Sequence, residues 1–461
     1  MARRMALFGG SFNPPGLHHL RLAEVLAREF DEVRVVPCGP RPDKPEVNSV
    51  PSVFRAALCD LTFGDLESGT VVVDLFDLEQ DTFTRNFALE ERYKGEAEVW
   101  HVVGADWIEG GAQKRSAIHT GWSKGPELWQ HSRFAILTRP GHAIDAADLP
   151  PNHVLIPVEI PGSSTLIRDS LMHRREVANL LTPKAHRYIN RYGLYRGTNP
   201  ASWSRGSLED LKCILQTDPR NGKSVDWQDR FRPHVNEASP DFILTLGGDG
   251  AMLRCIREHW RRRLPFFGVN AGHVGFLLNA PEQVFEQSFP PSEVIFRQLP
   301  QIYIELETTT GETIEAYAFN DAWLERSTSQ SAWLEIKVND IPRLPKLVSD
   351  GALVSTAAGS TAYARAMGAS PLLADTPAWL LVGSNVLEPA HWKSALLSND
   401  TTVEITNLDC ENRPTIAYVD GVAQGEVRNF RARQSRAAAA ELVFLANRDM
   451  AEKIAGIQFM R

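Results

Sequence analysis

Two glycine-rich segments of this 461-residue chain place different reactive side chains next to close-approaching backbone. The first, Gly9-Gly10-Ser11-Phe12-Asn13, leads to the histidines His18 and His19, and the second reads Gly247-Gly248-Asp249-Gly250. Each follows a short apolar run typical of a buried strand, and glycine at such a position lets backbone N–H groups approach a phosphate. The sequence therefore predicts two nucleotide sites with two chemistries, one based on imidazoles and one on a carboxylate.

The elements that must position the first segment alternate between apolar runs and amphipathic stretches. Six runs predict buried strands: Met5–Phe8, Val33–Val36, Val71–Val73, Val99–Val103, Phe134–Leu137 and Val154–Val158. Apolar residues recur at helical spacing between the first two runs, so the pattern is β-α-β and predicts a parallel sheet. Thr182 followed by Pro183 predicts the start of a helix that ends near Gly193.

A polar, turn-rich stretch from Arg196 to Ser202 predicts a linker. Beyond it a helix is expected over Ser207–Leu215 and a strand over Phe242–Leu246, but no clear strand comes first. From about Gln301 the chain contains strand patterns without long helices, which favours an antiparallel, β-rich unit. A final helix is expected over Asp449–Ile457. The predicted domains are residues 1–197, residues 198–300 with a returning segment 440–461, and residues 301–439.

Composition narrows the class of protein. Lys and Arg total 49 against 57 Asp and Glu, a net charge of -8 that argues against general nucleic-acid binding. The five cysteines form no C-x-x-C pair, so neither a metal cluster nor a disulfide framework is predicted. No run reaches the ~18 apolar residues of a membrane span. We expect a multidomain cytoplasmic enzyme that acts on small-molecule nucleotides and binds neither nucleic acid nor a membrane.

Residues 9–20 resemble the G-T-F-D-P-x-H-x-G-H-L segment of nicotinate or nicotinamide mononucleotide adenylyltransferases, and the resemblance extends over most of residues 4–196. It implies a Rossmann-like nucleotidyltransferase domain and attack of a mononucleotide phosphate on the α-phosphorus of ATP, assisted by Mg²⁺. It makes His19 the catalytic residue at the α-phosphate. The other residues that it implies in nucleotide binding are Lys44, Ser164, Thr165 and Arg168 for the triphosphate, Gly104 and Asp106 for adenosine, and Gly10, Ser11, Phe12, Asn13, His18 and Thr84.

The chain departs from that family's pattern at one place. The family has histidine where this chain has Gly16, and glycine where it has His18. His18 is then either a replacement for the missing histidine or an obstacle to the nucleotide. Two interpretations stay open: an active adenylyltransferase, or a ligand-binding regulatory domain attached to a working kinase.

Residues 241–279 resemble NAD kinases, through the G-G-D-G motif and the run Gly268–Leu277. The resemblance implies an α/β domain plus a β-rich sandwich domain, and phosphorylation of the adenosine-ribose 2′-hydroxyl of NAD, with Asp249 as the base. It also implies a homo-oligomer through the kinase half. The residues that it implies in binding are Gly247, Gly248, Gly250, Asn270, Asn320, Asp321, Asp350, Thr361, Ala362 and Tyr363.

Two questions stay open for the second segment, namely the kinase family and the phosphoryl donor. Diacylglycerol and sphingosine kinases also contain G-G-D-G, although the N-x-G-x-x-G-F-L and G-S-T-A-Y segments favour the dinucleotide kinase. The phosphoryl donor is either ATP or polyphosphate.

Overall fold

The computed structural model describes residues 3–41, 50–66, 69–138, 144–374, 376–446, 453–456 and 459. It divides into two compact units, Met1–Pro200 and Ala201–Arg461. Lys44, predicted to bind the triphosphate, lies outside the described residues, as does most of the helix expected over Asp449–Ile457. Among the described residues, no helix is both long enough and apolar enough to cross a bilayer.

The first unit is built on a six-stranded parallel sheet. Its strands are β1 (Arg4–Gly10), β2 (Glu32–Pro37), β3 (Val71–Val73), β4 (Glu98–Gly104), β5 (Arg133–Thr138) and β6 (His153–Pro157). Its helices are α1 (Leu17–Glu29), α2 (Ser52–Phe63), α3 (Phe76–Gln80), α4 (Asn86–Tyr93), α5 (Ala117–Gly121), α6 (Gly125–His131), α7 (Ser164–Met172) and α8 (Pro183–Tyr192). The strands lie in the order β3-β2-β1-β4-β5-β6. The order reverses between β1 and β4, and ligands of such sheets bind at the strand ends near this reversal.

The predicted elements of this unit are confirmed because their apolar runs form the core. All six predicted strands are present within a residue or two of their expected bounds. Helix α8 begins where predicted, with the Thr182 hydroxyl accepting the N–H of Ala185, and it ends at Gly193, whose φ of 61° is left-handed.

The second unit contains most of the strands. They are β7 (Trp203–Gly206), β8 (Cys213–Thr217), β9 (Phe242–Gly247), β10 (Phe266–Asn270), β11 (Val294–Thr308), β12 (Thr313–Ala318), β13 (Asp321–Arg326), β14 (Ala332–Val338), β15 (Ile341–Ser349), β16 (Gly351–Ser355), β17 (Ala378–Ser384), β18 (Ser394–Ser398), β19 (Thr402–Asn407), β20 (Thr415–Val419) and β21 (Val422–Leu445). The helices are α9 (Gly222–Phe231), α10 (Asp249–His259), α11 (Pro281–Phe285) and α12 (Tyr363–Ala366).

Strand β21 belongs to both parts of this unit. Its early residues pair antiparallel with β20 and β19, and β11 pairs antiparallel with it from Val427 to Leu445. Leu442 and Val443 also pair parallel with β10. This end of β21 extends the parallel group β8-β9-β10. The strands β15-β14-β19-β21 and β20-β13-β16-β17-β18 enclose a core that includes Ile336, Val354 and Trp379. The chain thus returns to the α/β part as a strand.

The helix expected over Ser207–Leu215 is wrong. The chain forms β8 over Cys213–Thr217, parallel to β9, and this is the first strand that the sequence did not reveal. Leu208 and Cys213 are both fully buried. Their spacing resembles that of a helix, but Leu208 lies in a turn and Cys213 in strand β8, and both pack into the core. The apolar run Cys213–Leu215 is only three residues long and gave a weak strand signal.

One buried guanidinium stabilises the loop after β1. Arg55 is 2% exposed, and its Nη2 donates to the carbonyls of Ser11 (2.6 Å) and Cys38 (2.7 Å).

Arg55→Met leaves both carbonyls without this donor, so we expect a loss of roughly 1–3 kcal/mol in the free energy of unfolding. Calorimetry of the full chain measures it, with exposed Arg21→Met as the control. Equal unfolding temperatures for the two variants would contradict the role of Arg55.

Candidate functional site

Two adjoining cavities lie where the strand order of the first unit reverses. Their volumes are about 1030 Å³ and about 530 Å³. Predicted site residues line both: His18, His19, Gly104 and Asp106 the larger, and Gly10, Thr84 and Gly104 the smaller. Phe8, Gly104 and Leu137 line both cavities, so the two meet at the carboxyl ends of β1, β4 and β5. Two ligands can therefore lie side by side there.

Buried hydrogen bonds fix the loop between β1 and α1. Asn13 is 1% exposed, and its Oδ1 accepts the hydroxyl of Tyr195 at 2.7 Å. The carbonyl of Asn13 accepts from Arg168 Nη1 at 2.7 Å, and Ser164 Oγ donates to the carbonyl of Pro14 at 2.8 Å. Ser164 and Arg168, both predicted to bind the triphosphate, therefore also hold the loop in shape.

His19 is held in a defined tautomer within the first turn of α1. Its Nδ1 accepts the backbone N–H of Gly16 at 3.2 Å, so the ring proton must reside on Nε2. Burial, and then the neighbouring His18, lower the pKa of His19 to about 3. The ring packs edge-on against Phe12, with 5.0 Å between centroids. His19 can therefore donate a hydrogen bond to a phosphate oxygen while remaining neutral.

His18 fills the space beside Gly16. A Cβ at position 16 would lie 2.8 Å from His18 Nδ1 and 2.7 Å from Ile167 Cδ1. On another side Gly162, with a φ of 139°, comes so close that a Cβ there would lie 3.1 Å from the His18 ring. Burial lowers the pKa of His18. The His18 imidazole thus occupies the place that a side chain at position 16 would need.

The smaller cavity combines aromatic rings with positive charge. Its lining includes Phe83, Trp107 and Trp122. The guanidinium groups of Arg41 and Arg85 each lie 5.1 Å from the Phe83 ring centroid. This set of rings and cations suits a planar, anionic ligand.

Among the described residues that line this cavity, one carries a carboxylate, and it is Asp77. The N–H and hydroxyl of Thr84 both donate to it, at 3.1 Å and 2.5 Å. Burial raises the pKa of Asp77, and the hydrogen bonds from Thr84 oppose this rise. The hydroxyl of Thr84, predicted to contact the nucleotide, is occupied by this bond.

In the second unit, the predicted glycine motifs meet at the carboxyl ends of β9 and β10. A Cβ on Gly272 would lie 3.2 Å from the Cα of Gly248, so these two backbones need glycine to approach each other. Asn270 Oδ1 accepts the N–H of Gly272 at 2.9 Å. Asp249 is the first residue of α10, and its Oδ1 accepts the N–H of Leu277 at 2.8 Å. One carboxylate oxygen of Asp249 is therefore anchored, which orients the other.

The loop around Asn320 and Asp321 packs against the segment that carries Thr361 and Tyr363. The carbonyl of Asn320 accepts the N–H of Thr356 at 2.9 Å, and a Cβ on Gly359 would lie only 2.1 Å from that carbonyl oxygen. Asp321 is 5% exposed, and the backbone of Tyr363 donates to its carboxylate. Asn320, Asp321 and residues 361–363 thus form one group.

Asp350 lies at the other end of β16 from this group. Its carboxylate accepts from Arg326 Nε at 2.5 Å and from Asn385 Nδ2 at 2.7 Å. Burial, and then the charges of Glu325, Asp321 and Asp350, raise the pKa of Tyr363.

Several residues near the sites carried no recognised signal in the sequence. Asp218 follows β8 and lies 3.4 Å from Arg254, while Asn221 Nδ2 donates to the carbonyl of Ala271 at 3.0 Å. Asp420 accepts three backbone N–H groups around Asn320. Recognition of β8 as a strand would have placed Asp218 at the carboxyl edge of the sheet, whereas no local pattern indicates the contact of Asp420 with the loop at Asn320.

Comparisons with known proteins distinguish the two parts of the chain. A cytidylyltransferase-like family model matches residues 7–170, and the model of the ATP-NAD kinase N-terminal domain matches residues 176–290. The NAD kinase of Brucella suis biovar 1 (strain 1330) is 33% identical over 229 residues, which cover 49% of this chain and 88% of that protein. The chain belongs to the NAD kinase family. It joins a cytidylyltransferase-like domain to an NAD kinase domain, and the predicted fusion is confirmed.

Further relatives cover the NAD kinase domain. The NAD kinase of Mesorhizobium japonicum is 34% identical over 219 residues, covering 47% of this chain and 84% of that protein. A solved yeast NADH kinase complexed with NADH has a TM-score of 0.43 and 18% identity, covering 71% of this chain and 88% of that one. An Archaeoglobus fulgidus NAD kinase in complex with ATP has a TM-score of 0.40 and 21% identity, covering 53% and 98%. The two family models and the sheets described above confirm the predicted fold class, a Rossmann-like nucleotidyltransferase domain followed by an NAD kinase fold with a β-rich region.

The packing of His18 makes a prediction about position 16. Gly16→His alone should lower the unfolding temperature, since its Cβ would approach His18 Nδ1 to 2.8 Å, and overpacking of this kind costs about 1–3 kcal/mol. The double variant Gly16→His, His18→Gly should recover part of that loss, because it removes the contact with His18 but leaves Ile167 Cδ1 2.7 Å from the same Cβ. Thermal unfolding measures both, with Gly95→His as the control, because nothing lies within 4 Å of a Cβ there. A single variant as stable as the parent would contradict the described position of His18.

Proposed function

We propose that the chain catalyses two reactions: adenylyl transfer from ATP to a pyridine mononucleotide in the first unit, and transfer of the ATP terminal phosphate to the 2′-hydroxyl of NAD in the second. One observation carries the first assignment. The two cavities at the reversal of the sheet share Phe8, Gly104 and Leu137, so ATP and a mononucleotide can occupy them with their phosphates adjacent. The family membership and the anchored carboxylate of Asp249 support the second.

Adenylyl transfer needs positioning and neutralisation of charge, without a covalent residue. In the proposed mechanism His19 donates its Nε2 proton in a hydrogen bond to the α-phosphate, and the buried loop after β1 keeps the imidazole in place. His18 supplies the second imidazole from the space beside Gly16. Gly104 and Asp106 lie on the adenosine side of the larger cavity.

In the kinase reaction the ribose hydroxyl is the nucleophile. Asp249 Oδ1 is occupied by the N–H of Leu277, so Oδ2 is the oxygen that orients the hydroxyl and accepts its proton. Asn320 and Asp321 hold the ribose hydroxyls, and residues 361–363 line the dinucleotide site. The phosphoryl donor in this proposal is ATP.

Mg²⁺ would supply charge neutralisation on the phosphates of ATP in both reactions. The described residues contain no group of three or more His, Cys, Asp or Glu side chains arranged for a metal ion. An Mg²⁺ ion bound with ATP would take most of its ligands from phosphate oxygens and water.

A regulatory first unit is the second candidate function. The exchange of glycine and histidine between positions 16 and 18 favours it, because the His18 side chain projects into the larger cavity, where the related family keeps glycine. In that case the unit binds a nucleotide without transferring an adenylyl group. The packing of His18 against Gly16 and Gly162 supports the active alternative, since it restores an imidazole near the missing position.

Product analysis of the full chain tests both reactions. With Mg²⁺-ATP we expect dinucleotide from a mononucleotide and NADP from NAD. His19→Ala should reduce only the first reaction, by about 10²–10³-fold, and Asp249→Asn only the second, by about 10²–10⁴-fold. The exposed His131→Ala and Asp226→Asn are matched controls. NADP without adenylyl transfer would favour the regulatory unit, and phosphorylation of diacylglycerol in place of NAD would contradict the kinase proposal.

The charge of the smaller cavity predicts a preference for the nicotinate mononucleotide. Arg41 and Arg85 both lie at the Phe83 ring, and a carboxylate on the pyridine ring gains from them more than a carboxamide does. Arg85→Gln should lower kcat/KM for the nicotinate form by roughly tenfold and for the nicotinamide form by less than about threefold. The exposed Arg28→Gln is the control. Equal losses for both substrates would instead assign these cations to the ribose phosphate.

A further inference from the structure

One buried carboxylate organises the predicted ribose-binding loop of the second unit. Asp420 lies between β20 and β21 and is 6% exposed. Its Oδ2 accepts the N–H of Phe319 at 2.7 Å, and its Oδ1 accepts the N–H groups of Asn320 at 2.8 Å and Asp321 at 3.2 Å. Three successive N–H groups on one carboxylate fix the backbone through which Asn320 and Asp321 project their side chains.

The opposite side of this loop is fixed as well, while one side-chain atom lacks a protein partner. The carbonyl of Asn320 accepts from the N–H of Thr356 at 2.9 Å and from the hydroxyls of Ser355 and Thr356 at 3.3 Å. Oδ1 of Asn320 is buried and has no hydrogen-bond partner among the residues that the structure describes. A buried acceptor without a partner indicates a missing donor, and a ribose hydroxyl is such a donor.

Asp420 also contacts the helix that carries the proposed base. Arg257 of α10 places its Nη1 3.5 Å from the carbonyl of Asp420, and its charge stabilises the Asp420 carboxylate. Helix α10 begins at Asp249. The turn at Asp420 is therefore linked both to the ribose-binding loop and to the helix of the base.

We propose that Asp420 is a positioning residue of the kinase reaction, which fixes the Asn320 amide and the Asp321 carboxyl in the orientation that receives the ribose of the dinucleotide. This proposal rests on the kinase function proposed above. Asp420 itself has no contact with the substrate in this role. It acts through the three N–H groups that it holds.

A second consequence of the same contact is electrostatic. Burial, and then the charge of Asp420, raise the pKa of Asp321 to about 7, and the N–H of Tyr363 opposes this rise. Burial also raises the pKa of Asp420, and its three N–H donors and Arg257 oppose this rise. The raised pKa of Asp321 contributes stability that is present below about pH 4 and lost as the pH rises through about 7. Binding of NAD should show an inflection in the same range.

The test compares Asp420→Asn with Asp340→Asn, whose carboxylate lies at an exposed turn with its side chain 79% exposed. Steady-state kinetics of the full chain with Mg²⁺-ATP and NAD should show the KM for NAD raised roughly tenfold in Asp420→Asn, with the KM for ATP changed less than about twofold. The inflection near pH 7 should move down by about one unit or more, because the neighbouring charge is gone. Hydrogen exchange at residues 319–321 should accelerate in Asp420→Asn only.

Other outcomes overturn the proposal in distinguishable ways. Equal changes in both KM values and kcat, with the pH inflection unmoved, assign Asp420 a merely structural role. A parent chain that forms no NADP overturns the kinase assignment, and the positioning role with it. If Asp420→Asn does not fold, Asp321→Asn carries the test: it must abolish the inflection near pH 7 and leave exchange at residues 319 and 320 unchanged, and an inflection that persists contradicts the pairing of the two carboxylates.

Discussion

The second unit depends on one continuous strand and the buried carboxylate that precedes it. Strand β21 pairs antiparallel with β20 and β19 over its early residues, parallel with β10 at its end, and antiparallel with β11 from Val427 to Leu445, so one segment connects the α/β part to the β-rich part. Asp420 begins this segment and holds the loop at Asn320, whereas the glycine motif of Asp249 lies at the end of β9. A kinase must place a base and a ribose-binding loop at a fixed separation, and a shared strand provides that fixed frame.

The two candidate sites solve the problem of phosphate charge with different groups. The first unit uses a neutral imidazole, whose tautomer is set by the N–H of Gly16, together with backbone held by Arg55 and Arg168. In the proposed kinase mechanism, the second unit places the carboxylate of Asp249 at the hydroxyl that attacks the phosphate. This difference matches the two nucleophiles: a phosphate needs no base, but a ribose hydroxyl does.

The sequence predicted those strands and helix ends that are determined by short-range patterns. Runs such as Val71–Val73 form strands because every residue of them is apolar, and Thr182-Pro183 starts a helix through local capping. Strand β8 was missed because its own apolar run is short. Its burial depends on the strands that pack beside it, which the local sequence does not reveal. The contact between Asp420 and Asn320 joins residues 100 positions apart, and no local pattern could indicate it.

The exchange of histidine and glycine at positions 16 and 18 also depends on residues far away in the chain, although the two positions lie within one turn of helix. The sequence showed that histidine and glycine were exchanged, but whether His18 replaces or obstructs depended on where the chain brings Gly162 and Ile167. Both pack around the space beside Gly16, and they come from far along the chain. A glycine at 16 is what leaves room for the His18 ring, so positions 16 and 18 are coupled through their packing.

The charge of the smaller cavity bears on how the two proposed reactions relate. If Arg41 and Arg85 select the nicotinate form, the product of the first site carries a carboxylate where NAD carries a carboxamide. The second site then cannot use that product until an amidation has replaced the carboxylate. The two activities would be joined by a common cofactor and not by direct transfer of an intermediate, and selection would act on the joint supply of dinucleotide and its phosphorylated form. Only a first site that accepts the nicotinamide form makes the two reactions consecutive on one chain.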